Sequence, residues 1–131
     1  MNQNQPMTAR LIFQVAALLG ALGVGIGAFG AHGLRKMLEA SGRFDTFETA
    51  VRYQFYHTLA LLAIGVLLQL RPELRLLGTT AWLWVGGILV FSGSLYVLCF
   101  TGITWLGAIT PLGGLLFIGG WITLFLAARQ L

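Results

Sequence analysis

Apolar residues fill this chain in long blocks, and the charged residues are confined to the seams between them. Residues 11–34, 53–70 and 76–128 contain no Asp, Glu, Lys or Arg. A helix that packs in water keeps a charged outer face, whereas a helix facing hydrocarbon does not tolerate one. The blocks therefore read as membrane-spanning segments. The first predicts a helix over 11–31, about 31 Å long at ~1.5 Å per residue, which matches the hydrocarbon thickness of a bilayer. Arg71-Pro72 stops a second helix over 46–70, since the residue before proline leaves the helical region. The longest block divides into helices over 79–100 and 110–128, joined by an uncharged turn at 101–109. Thr110-Pro111 reads as N-cap and first helical residue of the fourth helix.

Between the first two spans, residues 33–52 carry seven charges. Leu34, Met37 and Leu38 fall at i, i+3 and i+4, which predicts a short interfacial helix ended by Ser41-Gly42. Asp45 and Glu48 have the spacing of a capping box for the second span, with Asp45 as N-cap. Trp82, Trp84 and Trp105 are placed as interfacial anchors. The fold class expected is all-α, an integral membrane four-helix bundle in one domain covering residues 1–131.

Small residues mark the faces expected to pack closely. On the first span Ala16, Gly20, Gly23, Gly27 and Gly30 recur at four, three, four and three. Gly86 and Gly93 mark a second face, and Gly113, Gly120 and Ala127 a third. These faces suit a homo-oligomer or a larger membrane complex.

Composition agrees with this reading. The chain is 57% hydrophobic and 9% charged, against about 25% charged in ordinary soluble domains. Its mean hydropathy is +0.84. The net charge of +4 comes from basic residues scattered over the span ends. They form no stripe, so nucleic acid is not an expected partner; the lipid bilayer is. Arg10, Arg71, Arg75 and Arg129 fall on one side and Arg35, Lys36, Arg43 and Arg52 on the other. The tie gives no orientation from basic residues, and the N-terminal amine tips it slightly toward cytoplasmic termini. The first apolar block exceeds the ~7–15 residues of a signal core, which argues for an uncleaved span. Cys99, the one cysteine, lies in an apolar run and reads as a small buried residue.

Up-down topology gathers one set of polar residues at one end of the bundle: His32, Tyr53, Tyr56, His57, Ser92, Tyr96 and Thr110. Such groups inside a membrane usually face the bundle interior and pair there. They support either helix-to-helix hydrogen bonding or a small site for a metal, haem or quinone. Neither histidine has a companion at metal-ligand spacing. No acid, lysine or arginine lies in the middle of a span, which weakens proton-coupled transport, while a small oligomeric channel built on hydroxyls or carbonyls stays open. No catalytic residue and no cofactor is expected, and the leading expectation is a structural or accessory membrane component without catalysis.

Four segments carry a resemblance. They are residues 27–34 (Gly-Ala-Phe-Gly-Ala-His-Gly-Leu), 53–62 (Tyr-Gln-Phe-Tyr-His-Thr-Leu-Ala-Leu-Leu), 91–96 (Phe-Ser-Gly-Ser-Leu-Tyr) and 110–121 (Thr-Pro-Leu-Gly-Gly-Leu-Leu-Phe-Ile-Gly-Gly-Trp). Together they resemble the domain-of-unknown-function 423 family. These are small, mostly four-span proteins of bacterial inner membranes, with mitochondrial relatives similar to transmembrane protein 256. The resemblance implies an inner-membrane location and the four-span fold. It implies no activity, substrate or catalytic residue.

Overall fold

A computed structural model describes residues 7–131; the N-terminal amine invoked for orientation lies outside them. Among the described residues, four helical segments are long and apolar enough to cross a membrane: Ala9–Ala31, Phe44–Leu70, Leu76–Thr101 and Thr104–Ala128. The first span is α1 (Ala9–Ala31), followed by the short α2 (Arg35–Ala40) and then α3 (Phe44–Leu70). The third span joins α4 (Leu76–Gly87), a π-helical segment (Ile88–Ser92) and α5 (Gly93–Thr101) into one helix. A 3-10 turn (Thr104–Ala108) leads into α6 (Thr110–Ala128). The described residues contain no strand.

Local chemistry explains the element ends. Thr8 caps α1 by accepting from the amide of Leu11 at 3.3 Å. Gly42 takes a left-handed φ of 70°, so the amide of Arg43 folds back on the carbonyl of Leu38 at 2.8 Å and closes α2. The chain then enters α3 directly at Phe44, which corrects the expected capping box. Arg43 occupies the cap position without a side-chain hydrogen bond. Asp45 sits inside the first turn, and Glu48 pairs with Arg52 at 3.2 Å. Gly102, at φ 72°, ends the third span in the same left-handed way.

The connection after the third span is a short 3-10 helix rather than a bare turn. It places Thr110 as the first residue of α6 rather than its cap. α4 begins at Leu76, three residues before the expected start. Trp84 is thereby carried deep into the bundle, where it is fully buried, instead of lying at the interface. Trp82 and Trp105 remain exposed.

α1 packs along α3, and α4 along α6, with α3 also against the third span. The main core contains Ile12, Leu61, Leu77, Trp84 and Phe117. A second cluster of Leu38, Phe47 and Cys99 fills the end that carries α2. Several glycines sit where no side chain would fit. A Cβ on Gly30 would strike Phe47, one on Gly113 would meet the backbone of Phe91, and one on Gly120 would strike Trp84. On Gly23 it would come within 2.9 Å of Phe55, whereas Gly20 and Gly27 face Thr58 and Val51 at ordinary contact distances. Ala16 is buried. On the third span the tight position is Gly87, under Phe117; Gly86 makes only ordinary contact with Leu116, and Gly93 faces open space. The π segment lies between Gly87 and Gly93, and its wider turn takes Gly93 out of the seven-residue register with Gly86.

Candidate functional site

The polar side chains inside the spans form separate hydrogen-bonded groups rather than one convergent site. The first is built on α3, where Gln54 projects toward both neighbouring spans. Its Nε2 donates to the carbonyl of Leu19 on α1 at 2.8 Å. Its Oε1 accepts from the Tyr96 hydroxyl at 2.7 Å. One buried amide thus links α1, α3 and the third span. Alongside, the Ser92 hydroxyl donates to the carbonyl of Ala50 at 2.7 Å. Ser92 ends the π segment, whose wider turn leaves its fully buried hydroxyl facing α3.

The second group surrounds His57. Its Nδ1 lies 2.8 Å from the carbonyl of Tyr53, one turn back, so Nδ1 carries the proton. Its Nε2 accepts the indole N–H of Trp121 from α6 at 3.1 Å. Both nitrogens are therefore occupied in the neutral tautomer. The ring stacks on Phe117 with centroids 3.6 Å apart and planes 8° from parallel. Tyr53, half exposed, packs on Phe91 at 4.7 Å and beside Tyr56 at 5.8 Å.

Hydroxyl pairs join the third span to α6. Ser94 and Thr110 meet at 2.7 Å, and Thr80 meets Thr123 at 2.7 Å. Buried Trp84 donates its indole N–H to the carbonyl of Phe117 at 3.3 Å.

Of the residues expected to gather, Tyr53, Tyr56 and His57 cluster together, Ser92 and Tyr96 join Gln54 on the α1 side of α3, and Thr110 pairs with Ser94. His32 stands apart from all of them. It caps the end of α1, is exposed, and borders a shallow depression with Ala28, Phe29 and Gly33. Contributors outside that expected set are Gln54, Trp121, Thr80, Thr123, Ser94 and Trp84. An amide inside an uncharged run, three residues before a histidine, was the available signal for Gln54.

The polar groups of the arrangement are mostly bonded to one another. Both His57 nitrogens are engaged, and the Ser92 and Ser94 hydroxyls are bonded to carbonyls or to the Thr110 hydroxyl. Among the described residues, no group of three His, Cys, Asp or Glu could hold a metal ion. Cys99 is buried with its thiol turned to the carbonyl of Arg43 at 3.7 Å.

Four apolar spans with a hydrogen-bonded interior define a multi-pass helical membrane protein. The chain belongs to the family described as "Protein of unknown function (DUF423)", whose model matches residues 26–114. It is similar to the UPF0382 inner membrane protein YgdD of Escherichia coli K12, 42% identical over 65 residues covering 50% of this chain and 49% of that protein. It is also similar to the UPF0382 membrane protein SSP2132 of Staphylococcus saprophyticus, 50% identical over 58 residues, or 41% of this chain and 48% of the relative. A fungal relative, the UPF0382 membrane protein C1782.12c of Schizosaccharomyces pombe, is 42% identical over 55 residues, or 42% of this chain and 47% of that protein. The chain spans about half the length of the curated relatives it matches. No solved structure matches it.

Proposed function

We propose that this protein is a non-catalytic structural or accessory component of a bacterial-type inner membrane. The observation that carries this reading is the use of the intramembrane polar groups. Gln54, Tyr96, Ser92, His57, Trp121 and the hydroxyl pairs are spent on joining spans. A catalytic or ion-carrying site keeps such groups available to substrate or water. The name of the Escherichia coli relative supports the location.

An assembly role has support on α6. Leu115, Ile118, Ile122 and Phe125 are all more than half exposed and recur at three, four and three, the spacing of a helix-packing seam. Photo-crosslinking from Leu115 and Phe125 in intact membranes tests the reading. The expected product is a discrete adduct with a second copy or with one other membrane protein. Lipid adducts alone at both positions, or ion flux through liposomes that hold the purified protein, would overturn it.

A further inference from the structure

The bundle is not closed between α1 and the third span. A cleft of about 470 Å³ opens there, with Leu22, Ile26 and Phe29 of α1 on one wall, Tyr96 and Phe100 on the other, and Phe47 at its base. It continues inward into a second space of about 150 Å³ that shares Leu22, Ile26 and Tyr96 and reaches Gln54 and Ser92. Buried Leu19 and Ile88 close the deep end.

Two properties of the cleft restrict its occupant. The first is depth. Phe29 and Leu19 are ten residues apart on α1, or ~15 Å along the helix, which is half of a hydrocarbon core of ~30 Å. The cleft is one leaflet deep, which fits a lipid tail of that leaflet; a partner's spanning helix needs a surface running the full thickness. The second is its lining. Gln54, Tyr96 and Ser92 turn their polar atoms into their own hydrogen bonds, so the cleft presents hydrocarbon even where polar residues border it.

The mouth lies at the end that carries α2, where Arg35, Lys36, Arg43 and Arg52 stand against Glu39, Asp45 and Glu48 and leave a net charge of +1. Glu39 neutralises Arg35 at 2.8 Å and Glu48 neutralises Arg52 at 3.2 Å. Among the described residues, Lys36 and Arg43 have no carboxylate partner within ion-pair distance. Arg43 precedes Phe47 by one helical turn. Its guanidinium also lies 3.6 Å from where a side chain on Gly102 would begin, two residues beyond Phe100. Arg43 thus stands at the end of the bundle where the cleft opens, one helical turn from the Phe47 at its base.

We propose that this cleft is a binding site for one anionic phospholipid, its acyl chain between α1 and the third span and its phosphate at Arg43. The full-length protein in detergent, titrated with phosphatidylglycerol or with phosphatidylcholine of the same chains and read by native mass spectrometry, tests this. The wild type is expected to retain phosphatidylglycerol in preference. Arg43→Gln is expected to weaken that binding about five-fold, the contribution of one basic residue near a lipid surface, and to leave phosphatidylcholine unchanged. Arg43→Lys keeps the charge and is expected to bind nearly as wild type. A Cβ on Gly25, which also borders the cleft, meets no atom within 4 Å, so Gly25→Leu has room to begin a side chain at the cleft and is expected to weaken both lipids. Equal retention of the two lipids, unchanged binding in Arg43→Gln, or equal loss in Arg43→Gln and Arg43→Lys would overturn the proposal. So would a lipid-independent dimer that Gly25→Leu dissociates, which would assign the cleft to a second copy.

Discussion

The Trp121 indole N–H points at Nε2 of His57 across 3.1 Å, and the two residues lie on different spans. With Nδ1 committed to the carbonyl of Tyr53, the imidazole is fixed in one tautomer and one orientation, flat on Phe117. A histidine in this state acts as a neutral strut between α3 and α6. Trp121→Phe should remove the donor and keep most of the ring packing. A membrane interhelical hydrogen bond contributes about 0.6 kcal/mol on average and at most about 1.7, so the variant should lose about 1 kcal/mol in a detergent unfolding titration. His57 Nε2 should also lose its acceptor shift in nitrogen NMR. An unchanged nitrogen shift would show that the contact is not a hydrogen bond.

Gln54 joins three spans, so its replacement should loosen α1 more than any other element. Gln54→Leu removes the link to Leu19 and the acceptor for Tyr96 together, with an expected cost of about 1–2 kcal/mol. Tyr96→Phe removes only the second of these and should cost less. If the amide is the common partner, the double variant Gln54→Leu, Tyr96→Phe should cost less than the sum of the two single variants. Additive costs in that cycle would mean that the two side chains act independently.

The membrane spans were legible because charge exclusion acts on every residue facing lipid, and it leaves a long, uninterrupted trace in the sequence. The polar pairings left no comparable trace. Gln54 in an apolar run reads the same whether it faces lipid, water or another helix, and only the packing of α1 on α3 selects among these. Trp84 was expected at the interface because it stood near the start of an apolar block. The helix instead begins at Leu76, and the absence of a side chain at Gly120 makes room for the indole inside. His32 and His57 looked equivalent by topology, yet one ends a helix in the open and the other lies under Phe117. The π segment has no compositional signature, and it takes Gly93 out of register with the glycines before it.

The glycine faces can be separated by substitution. Gly113→Ala would push a methyl group into the backbone of Phe91, and a backbone cannot rotate aside as a side chain can. Overpacking of this kind costs about 1–3 kcal/mol, and the span would have to move away from α6. Gly93→Ala meets no atom within 4 Å and should be neutral or stabilising, given the low helical propensity of glycine. Thermal unfolding of the two variants side by side gives the comparison. Comparable destabilisation by both would mean that the third span and α6 do not approach at Gly113.

Thr58 is buried between α1 and α3, with its methyl group facing Gly20. Its hydroxyl has no hydrogen-bond partner, and among the described residues it is the one buried side-chain polar atom left in that state. An unpaired buried hydroxyl carries a desolvation cost of about 1–3 kcal/mol that a hydrocarbon group of the same shape does not. Thr58→Val keeps the branched shape and the methyl facing Gly20, and exchanges the hydroxyl for a second methyl. It should therefore raise stability by about 1 kcal/mol, read as a higher unfolding midpoint in detergent. Thr58→Ser, which retains the hydroxyl and deletes the methyl, should lower it. A Val variant less stable than wild type would mean that the hydroxyl finds a partner in the membrane, and α3 would then hold a further polar link to α1 beside that of Gln54.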